Sequence, residues 1–191
     1  MSDFAKTIKQ NFEEHARVVS YNEEIAQKTA VAVQKIVSCF KNGGKLLICG
    51  NGGSAADANH LAAEFINKYM LERRPLPAIS LSANQSNITA IGNDYSFDLV
   101  FSKQVEALAG KEDILIAIST SGKSKNVLEA LKAAKKKSIF TILFTGANKS
   151  ACSALSDISI HVPSTSTPRV QEYHLVLYHC ICGLVENEIS K

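Results

Sequence analysis

Residues 48–65, ICGNGGSAADANHLAAEF, run from an apolar segment through glycines and a serine into a helical pattern. A strand that turns through glycine into a helix is a usual way to hold an anion. The first helical N–H groups lack intrahelical partners, and the positive end of the helix dipole lies beside them. The helix so opened also carries His60 and Glu64. Four residues apart, they stand ~40° from each other, on one face and one turn apart. Taken alone, such a pair is more often an ordinary hydrogen-bonded contact than a metal site.

The same rhythm extends outward from this stretch. Apolar runs KLLIC (45–49), PAISL (77–81), ILIAI (114–118), IFTILF (139–144) and ISIHV (158–162) alternate with helical segments near 54–70, 97–108, 124–137 and 169–189. Near-continuous apolar strands separated by helices predict a parallel sheet covered on both faces. The expected fold is α/β, a doubly wound three-layer sandwich of about five parallel strands. Two amphipathic helices precede it. Phe4, Ile8, Phe12 and Val19 mark one stripe; Ile25, Thr29, Val33, Ile36 and Phe40 mark the other. The NGG at 42–44 stops the second helix. One domain over 1–191 is expected, with the helical pair in 1–42 and the sandwich in 45–191. In such sheets ligands bind beyond the carboxyl ends of the strands.

Composition narrows the class. A chain of 191 residues can bury a substantial core, and 46% hydrophobic with 20% charged residues is ordinary for a globular protein. A net charge of +3 is too small to argue for a nucleic-acid partner. No apolar run approaches the ~18 residues of a membrane span. The opening MSDFAKTIKQNFEEH has no apolar signal region. The five cysteines are scattered without a C-x-x-C, as expected of reduced, mostly buried thiols in a cytoplasmic protein. In HCIC (179–182), Cys180 and Cys182 lie ~200° apart on a helix and cannot share a ligand face. The basic run KAAKKK (132–137) falls in the last turns of a helix, where cations offset the dipole.

Two loops each follow a predicted strand and open a helix. One is Gly50-Asn51-Gly52-Gly53-Ser54; the other, STSGKS at 119–124, holds four hydroxyls in six residues. A dinucleotide fingerprint can be forced onto Gly50-x-Gly52-x-x-Ala55, but the second strand ends SLSAN, with no acid for a ribose. A nucleotide P-loop fails because Ala117 stands where its first glycine belongs. Turn chemistry with N-capping explains either loop alone. Both loops at the ends of neighbouring strands suit a phosphate monoester that is bound and kept, not transferred.

The last helix adds Gln171, Glu172, His174 and His179. Glu172 and His179 lie ~20° apart in projection, and Gln171 and His179 ~80°. Spacing therefore leaves the partner of His179 open and slightly favours the glutamate.

Together, CGNGGSAADANHLAAEF (49–65), AIGNDYSFD (90–98), ISTSGKSKNV (118–127) and TPRVQEYHLVLYH (167–179) resemble the sedoheptulose-7-phosphate, or phosphoheptose, isomerases of the sugar-isomerase (SIS) superfamily. The likeness spans nearly the whole chain, the paired N-terminal helices included. The hydroxyl loops are generic to SIS domains that bind sugar phosphates. The H-x-x-x-E helix joined to R-V-Q-E-x-H-x-x-x-x-H is more specific.

The resemblance implies an aldose–ketose isomerase of bacterial heptose biosynthesis acting on sedoheptulose 7-phosphate. It implies a Zn²⁺ site made by His60, Glu64, Gln171 and His179, deciding for Gln171 where spacing could not. It also implies a substrate site of Asn51, Gly52, Gly53, Ser54, Ser119, Thr120, Ser121 and Ser124, with Glu64 and Gln171 also touching substrate. Asn93 and Asp94 fall where the family touches sugar hydroxyls. Glu64 is the implied base and His179 its partner acid/base. A homotetramer with active sites near subunit boundaries is implied as well. Some members carry an acid just before the arginine of the last motif; here Pro168 stands there, so that acid's role cannot transfer. Two rivals remain: a non-catalytic SIS module that binds the bacterial replication initiator, and a SIS isomerase of another ketose phosphate. The first lacks the acid and the histidine found here at Glu64 and His179.

Overall fold

The apolar runs form five strands, β1 (Leu46–Gly50), β2 (Ala78–Ser80), β3 (Ile114–Ser119), β4 (Phe140–Thr145) and β5 (Ile158–His161), in a computed structural model describing residues 3–191. All four pairings are parallel, and the order across the sheet is β2-β1-β3-β4-β5. The helices are α1 (Asp3–Val18), α2 (Glu23–Lys41), α3 (Gly53–Ile66), α4 (Gln85–Asp94), α5 (Ser102–Leu108), α6 (Lys125–Lys136), α7 (Ala151–Leu155) and α8 (Thr167–Ile189).

Strand side chains alternate between two cores. Leu46, Ile48, Ile116 and Phe144 meet Ile36 and Phe40 of α2, Leu61 and Phe65 of α3, and Leu177 and Ile181 of α8. Leu47, Leu115, Ala117 and Leu143 meet Val105 of α5 and Val127 and Leu131 of α6. Burial on both faces is why these strands read as unbroken apolar runs rather than alternating ones. The three-layer α/β sandwich expected from the sequence is the fold observed. Strand order reverses between β1 and β3, so the connections leaving their carboxyl ends go to opposite faces of the sheet and leave a crevice there.

Three local departures have physical causes. The helix expected to reach residue 70 stops at Ile66. There the Arg73 guanidinium donates to the carbonyls of Glu64, Phe65 and Asn67. Buried Glu186 accepts from the N–H groups of Tyr69, Met70 and Leu71 and pairs with Arg73 at 3.1 Å. The helix expected over 97–108 is a 3₁₀ turn at Phe97–Leu99 followed by α5. Helices α4 and α7 were not expected: α4 sets only half-buried Ile88 and Ile91 against the core, and α7 is one short capped turn.

α1 also buries none of its residues. It is fastened to α8 by Arg169, which donates to the Asn11 carbonyl at 2.6 Å, and by His15 against Glu172 at 2.7 Å. Its stripe of Phe4, Ile8 and Phe12 is left 82%, 57% and 72% exposed. Four of the five cysteines are buried, and Cys180 is exposed. No helix among the described residues is long and apolar enough to cross a membrane.

Candidate active site

Both hydroxyl loops lie at the β1/β3 crevice, and side chains stitch them together. The amides of Asn51 and Asn126 exchange two hydrogen bonds of 2.8 Å, joining the loop after β1 to the start of α6. Ser82, beyond β2, donates to the Gly50 carbonyl at 2.9 Å. Within 119–124, the Ser119 and Ser124 hydroxyls are 3.1 Å apart, and the Gly122 N–H donates to Ser119 Oγ. Gly122 has φ +64°, and a Cβ there would come within 2.3 Å of Ser150 Oγ. Neither Gly52 nor Ser124 caps its helix through a side chain. The opening N–H groups of α3 and α6 thus remain free of side-chain caps from those positions, beside a rim of hydroxyls.

Further along α3, His60 and Glu64 face α8. His60 Nε2 lies 3.0 Å from Glu64 Oε1, and its Nδ1 lies 3.0 Å from the Tyr178 hydroxyl. The His179 ring stands 5.2 Å from the His60 ring, edge-on, and 4.9 Å from the Tyr178 ring. Tyr69, on the turn held by Glu186, stacks on the other side of His179 at 5.6 Å. Burial lowers the basicity of His179; His60 beside it adds to this, and Glu64 opposes it. Imidazole 179 is therefore neutral near pH 7 and able to accept a proton. Burial raises the Tyr178 hydroxyl well above its ordinary range.

α8 runs alongside α3 and sets the two candidate partners of His179 against different neighbours. Gln171 packs against the start of α3: a Cβ on Gly53 would lie 2.3 Å from its Nε2. Glu172, which spacing slightly favoured, turns instead to α1, where it pairs with Arg169 at 2.6 Å and with His15. Asn51, Gly52, Gly53, Ser54, Ser119, Thr120, Ser121 and Ser124 gather at the crevice, though the Asn51 amide is already engaged by Asn126. Asn93 and Asp94 are exposed at the end of α4 and hydrogen-bond each other at 2.9 Å. That helix packs chiefly on the 3₁₀ turn rather than on α3 or α8.

Sequence reasoning missed three residues at this face. Asp57 is buried one turn before His60, and burial raises its carboxyl to about 6, with Gln171 and His60 opposing. Its position ~20° from Glu64 on the helical wheel was a usable signal. Tyr69 and Tyr178 gave none, being aromatic residues in apolar surroundings. His174, from the same motif as His179, is fully buried behind the crevice, and burial lowers it to about 4. The backbone at Thr145 opposes that shift.

Comparison with known proteins converges on one family. The SIS domain family matches residues 10–146, a stretch that includes both hydroxyl loops and the His60–Glu64 helix. A phosphoheptose isomerase of Aliarcobacter butzleri is 50% identical over 177 residues, covering 92% of this chain and 94% of that protein. The solved phosphoheptose isomerase of Neisseria gonorrhoeae superposes with a TM-score of 0.89 at 41% identity, covering 95% of this chain and 99% of its own. That of Francisella tularensis gives 0.90 at 38% identity, with 98% and 100% covered.

Proposed function

Because the chain belongs to the SIS domain family, among its phosphoheptose isomerases, we propose that it interconverts sedoheptulose 7-phosphate and D-glycero-D-manno-heptose 7-phosphate. This is an aldose–ketose isomerisation of heptose biosynthesis. One observation carries the reading: a single helix has an anion cradle at its start and, further along, the His60–Glu64 pair facing His179. Six residues at ~1.5 Å each separate Ser54 from His60 by some 9 Å. A seven-carbon sugar phosphate spans that distance, with its phosphate at one end and C1–C2 at the other.

The opening N–H groups of α3 and α6, with the hydroxyls of Ser54, Ser119, Thr120, Ser121 and Ser124, hold the phosphate. That anchoring acts far from the reacting carbons and goes into orientation. Glu64 takes a proton from C1 of the ketose, which gives an ene-diol, and returns it to C2. Neutral His179 moves the matching proton from the hydroxyl on C1 to the oxygen on C2. On the family resemblance alone, Asn93 and Asp94 meet the sugar hydroxyls, from a helix that packs on the 3₁₀ turn.

Zn²⁺ is the proposed cofactor, held by His60, Glu64, Gln171 and His179. Two imidazoles, a carboxylate and an amide oxygen are a donor set suited to it. Among the described residues no three His, Cys, Asp or Glu side chains converge on a metal position. His60 and Glu64 bond each other instead, so loading requires that bond to open. When bound, the ion would polarise the oxygens on C1 and C2.

An NMR time course on sedoheptulose 7-phosphate, with and without a chelator, tests the reading. An aldose product that needs Zn²⁺ is expected. No aldose with zinc supplied would overturn it and favour the initiator-binding module or another ketose phosphate. We read the exposed stripe of α1 as an interface between copies, in a homotetramer as the family resemblance implies. Light scattering that returned a mass near 20.7 kDa at micromolar concentration would refute this.

A further inference from the structure

We propose that Asn126 is a positioning residue for the phosphate cradle. Its amide sets the loop after β1 against the loop after β3, and Asn51 serves the cradle through this pair rather than by touching the sugar. The β1–β3 ladder ends at Gly50 opposite Ile118, and the two loops leave the sheet with no backbone hydrogen bond between them among the described residues. Each is tied within itself or to other neighbours. The Gly50 carbonyl accepts from Ser82 at 2.9 Å, Ser119 Oγ accepts from the Gly122 N–H, and the Thr120 carbonyl accepts from the Gly146 N–H at 3.0 Å. Among the described residues, the only hydrogen bonds that join 51–54 to 119–126 are the two of 2.8 Å between the amides of Asn51 and Asn126. An anion held by groups of both loops needs their separation fixed before it arrives, because ordering them on binding would cost affinity.

The chemistry of the pair suits this place. The Val127 N–H donates to Asn126 Oδ1 at 2.9 Å, which fixes the oxygen end of that amide. Its Nδ2 then donates to Asn51 Oδ1, and Asn51 Nδ2 returns the second bond. At neutral pH only the carboxamides of Asn and Gln hold a donor and an acceptor side by side without charge. A carboxylate at either position would repel the phosphate, and a lysine or arginine would pair with it instead of with the other loop. Asn126 is 3% exposed, so its amide must be satisfied inside the protein, and Asn51 does so. The turn that presents Asn51 has little room to shift, since a Cβ on Gly50 would lie 2.5 Å from the Ser54 carbonyl oxygen.

The phosphate in question is that of the isomerase reading, but the test needs neither turnover nor metal. Inorganic phosphate is titrated into the ¹⁵N-labelled wild type, Asn51→Ala, Asn126→Ala and the double variant, and the backbone amide shifts of 51–54 and 119–124 are followed. In the wild type both loops should respond with one Kd. Because the two amides act as one unit, each single variant and the double should weaken phosphate binding by the same factor, ~5-fold or more. KM for sedoheptulose 7-phosphate should rise similarly while kcat stays within about two-fold. Losses that multiply in the double variant would mean that Asn51 meets the ligand on its own, and would overturn the proposal. So would wild-type affinity in Asn126→Ala or in the double variant, or a wild type whose loops ignore phosphate. The double variant leaves neither amide unpaired and decides the matter if a single one does not fold. Without any variant, the bonded carboxamide protons of Asn51 and Asn126 should exchange slowly with solvent in the ligand-free protein, and fast exchange of both overturns the pair. A wild type that binds phosphate through both loops yet forms no aldose would remove the isomerase reading and leave this one standing.

Discussion

At its N-terminal end, α3 sits in a cradle made almost wholly by chain segments next to the strand ends: the Asn51–Asn126 amide pair, the Ser119–Ser124 hydroxyls, and the turn at Gly122. About two to three turns along, His60 and Glu64 depend on α8, more than a hundred residues away, and on a turn tied down by Glu186 and Arg73. The first end is hydrogen-bonded before any ligand arrives. The second is half-open, with the side chains of His60 and Glu64 43% and 22% exposed, and is steadied by aromatic rings. Binding is thus assigned to local backbone, and chemistry to the convergence of remote helices. Damage to the two ends should therefore separate into KM and kcat.

The sharpest way to break that division is Glu64→Gln. It removes the proposed base while roughly keeping shape, and turnover should fall by ~10²-fold or more with KM little changed. Near-wild-type turnover in steady-state assays would mean Glu64 is not the base. A smaller effect, on stability, is expected from His174 behind the cradle. Folded His174 stays neutral down to about 4, whereas the unfolded chain protonates near the ordinary 6.5. The unfolded state binds more protons between those values, so stability falls as pH drops through that window. From pH 6.5 to 5 the loss is roughly 1–2 kcal/mol, below the full 1.36 kcal/mol per unit because the unfolded imidazole is only half protonated at the start. Asp57, raised to about 6, runs the other way as pH falls, because its folded form binds the extra proton. Comparing urea unfolding of the parent and His174→Gln across that range isolates the histidine. A stability difference between them that does not change with pH would remove it as the cause.

This division also explains what could be read in advance. The five strands were legible because burial on both faces wrote each as an apolar run, and the two loops because their glycines and hydroxyls are contiguous. α4 was not, since two half-buried isoleucines, Ile88 and Ile91, make too short a stripe to set a period. The turn of Glu172 toward α1 rests on His15 and Arg169, and the first of these lies 157 positions away along the chain. No helical angle contains that information. Asp57 was within reach of a wheel drawn one turn back from His60. Tyr178 was not, because the reason for its hydroxyl is a nitrogen on another helix.

Metal retention probes the reactive end without substrate. His60→Ala and His179→Ala should each weaken Zn²⁺ binding by ~10-fold or more if they are ligands. Chelation of the parent should abolish activity while the far-ultraviolet circular dichroism of the sheet and helices is unchanged. The cores of the sandwich contain neither histidine. Stoichiometric zinc in both variants would reduce the pair on α3 to a hydrogen-bonded contact.

The smallest expected effect lies at the other end. Ser121 is exposed on the loop after β3, and its hydroxyl accepts from the Lys123 N–H at 3.2 Å. Ser121→Ala removes one proposed donor to the phosphate and one weak turn contact, leaving the Ser119–Ser124 bond and the start of α6 in place. One hydrogen bond among several, near solvent, contributes about 1 kcal/mol, or roughly five-fold in KM. Because the phosphate is held equally in the ground and transition states, kcat should not move. Initial rates over a range of sedoheptulose 7-phosphate concentrations decide the matter. A fall in kcat at constant KM would mean that the cradle tightens only in the transition state. The two ends of α3 would then act as one unit rather than as an anchor and a reactive face.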